Sequence, residues 1–471
     1  MKPAFPHLKK CRQDSASSWI DLGTAMPRRK QLAQAVLVAV LLLTYIIQPT
    51  RHVRAAKVRR PNILVIITDD QRAAGTLGVM PKTRRFLKAG GAVYQNAFTA
   101  SGACCASRAT VFTGQYPHNH RVVNNQSAAA LDQSTTIQAH LMDNGYRTAL
   151  AGKFLNNFVG PPPYFDKWAA HAGGGYYYGG TWNINGNKRR VDDYSTDFIS
   201  RMSLRFLNSF ENDDSRPWFL YVAPMAPHGP STPEREYAKA RVGAWDGNAA
   251  TRESNLSDKP AWVREEVKSW ARAQKVRRRH LRTLMSVDDL VGALRRRMGA
   301  LGETRRTLVI FTSDSGHLWG EHRLVQKSNP YTQAVKIPLL MRWPGRIEPG
   351  FNRTLVGNID LAPTIAEAAR LPASIATGMD GRSLFGFGGH VRLLVHNPGR
   401  RAFSSRALRY QYVEYFSDEG LLIEDEYYNL LRDPWQLYNR LGDKKPGNDP
   451  DVATLGAQLA QDRTCSGATC P

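Results

Sequence analysis

The run NILVIITDDQ, Asn62–Gln71, constrains this chain more than any other stretch. Five aliphatic residues, Ile63 to Ile67, follow one another without a polar interruption. A strand with one wet face alternates apolar and polar residues. A strand without alternation must be covered on both faces, as in a parallel sheet packed between helices. Similar runs recur at Thr148–Ala151, Trp218–Ala223, Leu308–Phe311 and Pro338–Arg342. Between the later ones, Leu281, Leu284, Met285, Val291, Leu294, Met298 and Leu301 fall at helical spacing. Strands alternating with helices predict an α/β domain with a mostly parallel central sheet flanked by helices. After Pro398 the pattern changes. RYQYVEYF, GLLIEDEYYNLL and PWQLYNRL read as short antiparallel strands and a final helix, hence a small C-terminal domain over 398–471 beside a main domain over 57–397. Gly160–Asn187, rich in Pro, Gly and Tyr, and Gly243–Ser257 read as long loops. The aromatic loop has two readings, a platform for a sugar ring or a surface loop of packed tyrosines.

Residues 1–56 read as an extension ahead of the fold. Arg28-Arg29-Lys30 precede the apolar run Leu32–Ile47, and Val53-Arg54-Ala55 offers a small-residue cleavage site. This is the pattern of an export leader near 26–55, with Met26 as its start; a retained membrane anchor is the alternative. An exported protein is therefore expected, with membrane contact only if that segment is kept. This segment holds nine Lys/Arg against two Asp, so the net charge of +24 falls only to +17 without it. Such an excess favours anionic partners, although a basic surface alone also serves solubility. No nucleic-acid-binding module is visible, and no nucleic-acid partner is expected. Cys465 and Cys470 bracket a short loop and predict a disulfide, since no second Cys/His pair completes a zinc set.

Ligands of open α/β sheets bind beyond the carboxyl ends of the strands. Asp69 and Asp70 end the first strand and Asp314 ends another, in FTSDSGH. Three carboxylates from two strand ends suit a hard divalent cation, whereas a lone Asp there is usually a helix cap. Lys153 in AGKF, Lys327 in LVQKSNPY and His228 in WFLYVAPMAPH each carry little alone. Together they describe a pocket for a tetrahedral oxyanion. A helix predicted over Ser107–Phe112 turns its N-terminus to the same rim, where it favours an anion and depresses a cysteine pKa; Arg108 adds a planar donor fork.

The adjacent Cys104 and Cys105 open the segment CCASRATVFTG, which resembles the signature of the sulfatase family: Cys-x-Pro/Ala-Ser-Arg, four residues, then Thr-Gly. The resemblance runs from Pro61 to about Asp433 and includes TALAGKF, the APH tripeptide, GEHRLVQKSNPY, IPLLMRWPG, NIDLAPT and DGRSL in the family's order. GKFLNNF and PHNH are most similar to the N-acetylglucosamine-6-sulfatase and extracellular heparan sulfatase branch. The resemblance implies an alkaline-phosphatase-like fold with a small C-terminal antiparallel sheet. It implies a sulfuric ester hydrolase acting on a sulfated small molecule, aryl sulfate or polysaccharide. Cys104 would be oxidised to formylglycine by a formylglycine-generating enzyme, and its hydrate has two hydroxyls: one attacks sulfur, the other expels sulfate and restores the aldehyde. By the same resemblance Asp69, Asp70, Asp314 and residue 104 hold one cation, Ca2+. Arg108 fixes the formylglycine, Lys153 and Lys327 bind the sulfate, and His228 faces the leaving oxygen.

Three positions depart from the family pattern. Ser315 stands where Asn or His is usual and is a candidate metal ligand through its hydroxyl. Leu155 replaces a His two residues after the lysine, which leaves His118 or His120 as candidate bases, with a structural role as the ordinary expectation. Ala106 replaces the commoner Pro. Two alternatives stay open: a phosphodiesterase or phosphonate monoester hydrolase of the same superfamily, and an inactive polyanion-binding homologue.

Overall fold

The structure, a computed structural model, describes residues 27–29, 32–33, 36–37, 59–158, 160–171 and 175–471. The leader or anchor expected near 26–55 lies outside the described residues but for those few. Among the described residues no helix is long and apolar enough to cross a membrane.

Arg60–Pro471 forms one compact unit. Its main sheet has ten strands: β1 (Asn62–Thr68), β2 (Ala92–Phe98), β3 (Arg147–Gly152), β4 (Lys167–His171), β5 (Gly180–Ile184), β6 (Asn187–Val191), β7 (Trp218–Ala223), β8 (Thr307–Ser313), β9 (Leu339–Arg342) and β10 (Gly350–Gly357). Their order is β10-β2-β9-β8-β1-β7-β3-β4-β5-β6. The central run β8-β1-β7-β3-β4 is parallel, while β9 on one side and β5 and β6 on the other pair antiparallel.

All of β1 is buried, and its period of two divides the core. Ile63, Val65 and Ile67 point to one face, where they meet Phe112 of the helix Cys104–Thr113 and Leu361 and Ile365 of the helix Leu361–Ala368. Leu64 and Ile66 point to the other, against Phe198, Met202 and Phe206 of the helix Ser195–Glu211 and Leu284, Val291 and Leu294 of the helix Trp270–Ala300. Each such side chain contributes about 1.5–3 kcal/mol by burial, so helices are drawn to both faces.

Gly160–Asn187 does not stay a loop. It folds into β4 and β5, and with β6 extends the sheet edge. Its tyrosines mostly pack: Tyr177 stacks on Tyr194 with centroids 5.7 Å apart, and Tyr176, though 60% exposed, lies 5.6 Å from the His171 ring.

The second sheet is antiparallel: β11 (Arg392–Asn397), β12 (Ala402–Ala407), β13 (Tyr410–Phe416) and β14 (Leu422–Asn429). It starts before Pro398, and PWQLYNRL adds no strand to it; the helix Val452–Asp462 follows. Glu426 of β14, fully buried, accepts hydrogen bonds from Tyr331, Tyr415 and Tyr428 at 2.9, 2.6 and 2.5 Å. Cys465 and Cys470 form the expected disulfide. Cys465 O accepts from Asn119 Nδ2 at 2.9 Å, and Gly467 N donates to Asp380 Oδ1 at 2.7 Å. Asp380 N and Gly381 N in turn donate to Gly114 O, at the end of the Cys104 helix.

Candidate active site

Strand register assembles the site. Thr68 lies opposite Ser313 in the β1–β8 pair, so Asp69 and Asp314 leave the sheet at the same level. Gly152 lies opposite Ala223 in the β3–β7 pair, which brings Lys153 and the segment leading to His228 to the same edge. Gly152 has φ +114°, and a Cβ there would lie 2.1 Å from Ala223 O, so only glycine admits this exit. Lys153 N donates to Ala223 O at 2.9 Å. Asp70 adopts φ 70°, a left-handed conformation costly for a residue with a side chain. That turn lets its N–H donate to Asp314 Oδ1 at 3.2 Å.

The helix begins at Cys104 itself, not at Ser107, and ends on Gly114 in the left-handed region. Cys104 Sγ lies 2.7 Å from Lys327 Nζ and 3.5 Å from Asp69 Oδ1. One turn on, Ser107 Oγ donates to Asp314 O at 2.6 Å. Arg108, fully buried, donates through Nε to Asp314 Oδ2 at 2.8 Å and through NH1 to Lys153 O at 3.2 Å, with NH2 3.6 Å from Asp69 Oδ2. Lys153 Nζ is 2.5 Å from Asp69 Oδ2, and Lys327 Nζ is 2.5 Å from Asp70 Oδ1. His228 Nε2 faces Asp70 Oδ2 at 3.8 Å, its backbone carbonyl held by Tyr177 OH at 2.8 Å.

Burial alone would raise the carboxyl pKa values. Lys153, His228, Arg108 and Lys327 overcome it at Asp69 and hold it well below the usual range; Lys327 and His228 do the same for Asp70. Asp314 is pushed up, by burial first and then by the Asp69 charge. The Cys104 thiol is pushed up to about 12 by burial, which outweighs the nearby lysines. A helix start was expected to depress it; here desolvation wins, and an unmodified thiol at residue 104 stays neutral and weakly nucleophilic near pH 7.

The site thus gathers three carboxylates and three fixed cations, Arg108, Lys153 and Lys327. Ligand atoms of Asp69, Asp70, Cys104 and His228 lie within 4.8 Å of one another. Carboxylate oxygens are the donors that hard divalent cations take, and the Lys327 ammonium against Asp70 shows that the spot accepts positive charge. The residues fit such an ion. Ser315 sits at this point too, its Oγ donating to Asp70 Oδ1 at 2.8 Å.

His118 is not brought to the cluster. Its Nε2 engages Cys465 O at 2.8 Å and its ring stacks on Tyr116, because the short helix Pro117–His120 turns it toward the disulfide loop. His120 is also held elsewhere, by Thr110 Oγ1 at 3.0 Å, and burial lowers it to about 3. Leu155 is buried among Phe154, Phe165 and their neighbours. It lines a cavity of about 400 Å³ with Phe158, Pro162 and Ala170 on one part and Asn157, His171, Asn183 and Lys188 on another; none of the charged groups above lines it. Sequence reasoning passed over His317, three residues beyond Asp314 in FTSDSGH. Its ring packs edge-on against His280 with centroids 4.7 Å apart, and burial lowers it to about 4 despite the Asp70 charge. Its place directly after the acidic motif was the signal.

A buried cationic cluster beside carboxylates at the strand ends of an α/β sheet has the chemistry to receive a tetrahedral oxyanion. The chain belongs to the sulfatase family: the Sulfatase model matches residues 61–371, and the model for the N-sulphoglucosamine sulphohydrolase C-terminal region matches 320–463. It is 34% identical over 363 residues to human N-acetylglucosamine-6-sulfatase, covering 70% of this chain and 64% of that protein. It is 30% identical over 488 residues to N-acetylglucosamine-6-sulfatase of Capra hircus, covering 88% and 85%. It is 32% identical to the extracellular sulfatase SULF-1 homologue of Drosophila melanogaster, covering 71% of this chain but only 32% of that one. Among solved structures, a protein in complex with its substrate D-glucosamine-2-N,6-O-disulfate shares the fold with TM-score 0.71 at 21% identity, covering 86% of this chain and 98% of that one. A phosphonate monoester hydrolase from Silicibacter pomeroyi does so with TM-score 0.65 at 22% identity, covering 86% and 95%.

Proposed function

We propose that this protein is an exported sulfuric ester hydrolase that removes sulfate from a sulfated carbohydrate, with residue 104 matured from cysteine to formylglycine. The observation that carries the reading is the convergence on Cys104 Sγ of Lys327 and Asp69, with Lys153, Arg108 and Asp314 directly behind them. The neutral thiol is a poor nucleophile there. A formylglycine at residue 104, once hydrated, would offer one hydroxyl oxygen for attack on sulfur and a second hydroxyl whose proton would pass to solvent as sulfate leaves and the aldehyde returns. A divalent cation, Ca2+ in this reading, would be held by Asp69, Asp70, Asp314 and residue 104, with Ser315 as a donor to Asp70, and would polarise the sulfuryl oxygens.

This chain's own residues do the rest. Lys153 and Lys327 offer ammonium charge to the sulfate oxygens in a buried setting, where it is poorly screened. Arg108 clamps Asp314 and Asp69 and fixes the base of the nucleophile's helix. His228, on the rim, donates a proton to the departing alcohol oxygen. A glucosamine-type sulfate is the substrate class that the relatives' names support, and the extracellular relatives support export.

The deciding experiment has two arms. Mass analysis of the peptide containing residue 104, from a host with a formylglycine-generating enzyme, is expected to show aldehyde in place of thiol. The same preparation is expected to turn over an aryl sulfate and N-acetylglucosamine-6-sulfate faster than aryl phosphate or phenylphosphonate. Preference for the phosphorus esters makes it a phosphoester or phosphonate hydrolase. An intact thiol with no turnover makes it a binding homologue.

A further inference from the structure

The helix Trp270–Ala300 buries one face against the main sheet and turns another to solvent. From Lys268 to Arg282 the chain has seven Lys/Arg and no Asp or Glu. Two of the seven are used locally. Arg277 is buried over the rings of Trp245 and Trp319, 5.4 and 5.9 Å from their centroids, and Arg282 Nε donates to Ala240 O at 3.0 Å. Lys268, Arg272, Lys275 and Arg278 are exposed and Arg279 is half-buried. None of these five has an ion-pair partner among the described residues. The nearest acid in sequence, Glu266, is engaged by Arg400 at 2.5 Å.

Arg272, Lys275 and Arg279 follow the i, i+3, i+7 spacing of a single helix face, with Arg278 beside them, over a length of about 10 Å. Like charges three and four apart repel and weaken a helix. A surface kept only for solubility intersperses both signs; this one does not. The same helix backs the candidate active site, since His280 points inward against His317 at 4.7 Å. The stripe lies on the solvent side of the helix whose inner face reaches His317, three residues beyond Asp314.

We propose that this stripe is a docking surface for a sulfated glycan chain, which holds the polymer while one sulfate ester occupies the site at residue 104. The choice of occupant rests on the sulfatase reading; the basic stripe itself does not. A linear polymer with repeated sulfates matches a row of unpaired cations, and its binding is salt-dependent because counterions are released.

The test uses the full mature chain and the variant R272Q/K275Q/R278Q, with R272E/K275E/R278E as a second variant and circular dichroism as a fold control. Affinity for a heparin-derived octasaccharide is measured by fluorescence anisotropy at several salt concentrations, beside an oligonucleotide of equal charge. The neutral variant is expected to lose about tenfold in octasaccharide affinity, with a shallower salt slope. Its kcat/KM on a small aryl sulfate is expected to stay within about twofold, because the stripe does not touch the reacting groups. Octasaccharide affinity unchanged in both folded variants overturns the proposal. Tighter binding of the oligonucleotide by the wild type overturns the glycan assignment. Loss of octasaccharide binding in variants of a wild type that never turns over a sulfate ester keeps the docking surface and rejects the sulfatase reading instead.

Discussion

Replacing Lys153 by Met tests the electrostatics of the site directly. Its ammonium, 6% exposed, lies 2.5 Å from Asp69 Oδ2. At an effective dielectric constant near 20 the gross attraction is about 6–7 kcal/mol, partly offset by the desolvation of both ions. Methionine keeps much of the stem's packing and leaves Asp69 with Arg108 at 3.6 Å as its nearest remaining buried cation. Breaking a buried pair in this way costs about 3–5 kcal/mol, and urea denaturation at pH 7 in divalent-free buffer should show that deficit. The pH dependence has a definite sign. In the wild type the lowered Asp69 pKa gives stability that is fully present above the unfolded value of 3.8 and is lost as pH falls through the folded value. In Lys153→Met burial dominates and the carboxyl pKa rises, so the variant's deficit is largest at neutral pH and narrows toward acid. Adding Asp69→Asn removes the uncompensated charge, and the double variant should recover about 1–3 kcal/mol relative to additivity. A deficit below about 1 kcal/mol at pH 7, a deficit constant from neutral to acid, or strict additivity would refute the reasoning.

Cys104→Ser, made in a host unable to oxidise serine, should lose nearly all sulfate release while its circular dichroism spectrum is unchanged, because serine offers no second hydroxyl on the same carbon. Ser315→Ala removes a hydrogen bond to the buried Asp70 carboxylate worth about 1.5–3 kcal/mol, so kcat/KM and the half-saturating Ca2+ concentration should each worsen by about tenfold; values within twofold of wild type would show that the hydroxyl does not orient Asp70. His118→Ala should leave steady-state turnover within about twofold and lower the melting temperature by a few degrees, the cost of about one hydrogen bond. Glu426→Gln replaces an acceptor that serves three tyrosine hydroxyls and should destabilise the protein by about 1–3 kcal/mol in urea.

The parallel centre of the fold was legible in NILVIIT and WFLYVA because continuous apolar runs have few other uses. The signature around Cys104 and the acids at the strand ends carried most of the candidate site, since register then brings them together. What stayed hidden depended on direction. Ala169 and Ala170 of β4 and Trp182 of β5 were masked by the Gly and Tyr turns around them, so a pair of edge strands read as a loop. His118 is close to Cys104 along the chain, but a helical turn aims its ring the other way. The pull of burial on the Cys104 thiol, stronger than that of the helix start, depends on how completely neighbours from four strands close over it. The positive φ of Asp70 leaves no mark in composition.

The hydrogen bonds that tie the disulfide loop to the Cys104 helix set a biosynthetic clock. His118 waits for a partner 347 residues further along the chain. At about 5–20 residues per second, synthesis of that interval takes roughly 20–70 s. Through that interval the far end of the helix lacks its last support, and the formylglycine maturation proposed above would have the segment as an open chain. Once Asn119 bonds Cys465 O and Gly467 N bonds Asp380, that far end is fixed, and in the finished fold residue 104 is 1% exposed and closed to any enzyme that needs an open chain.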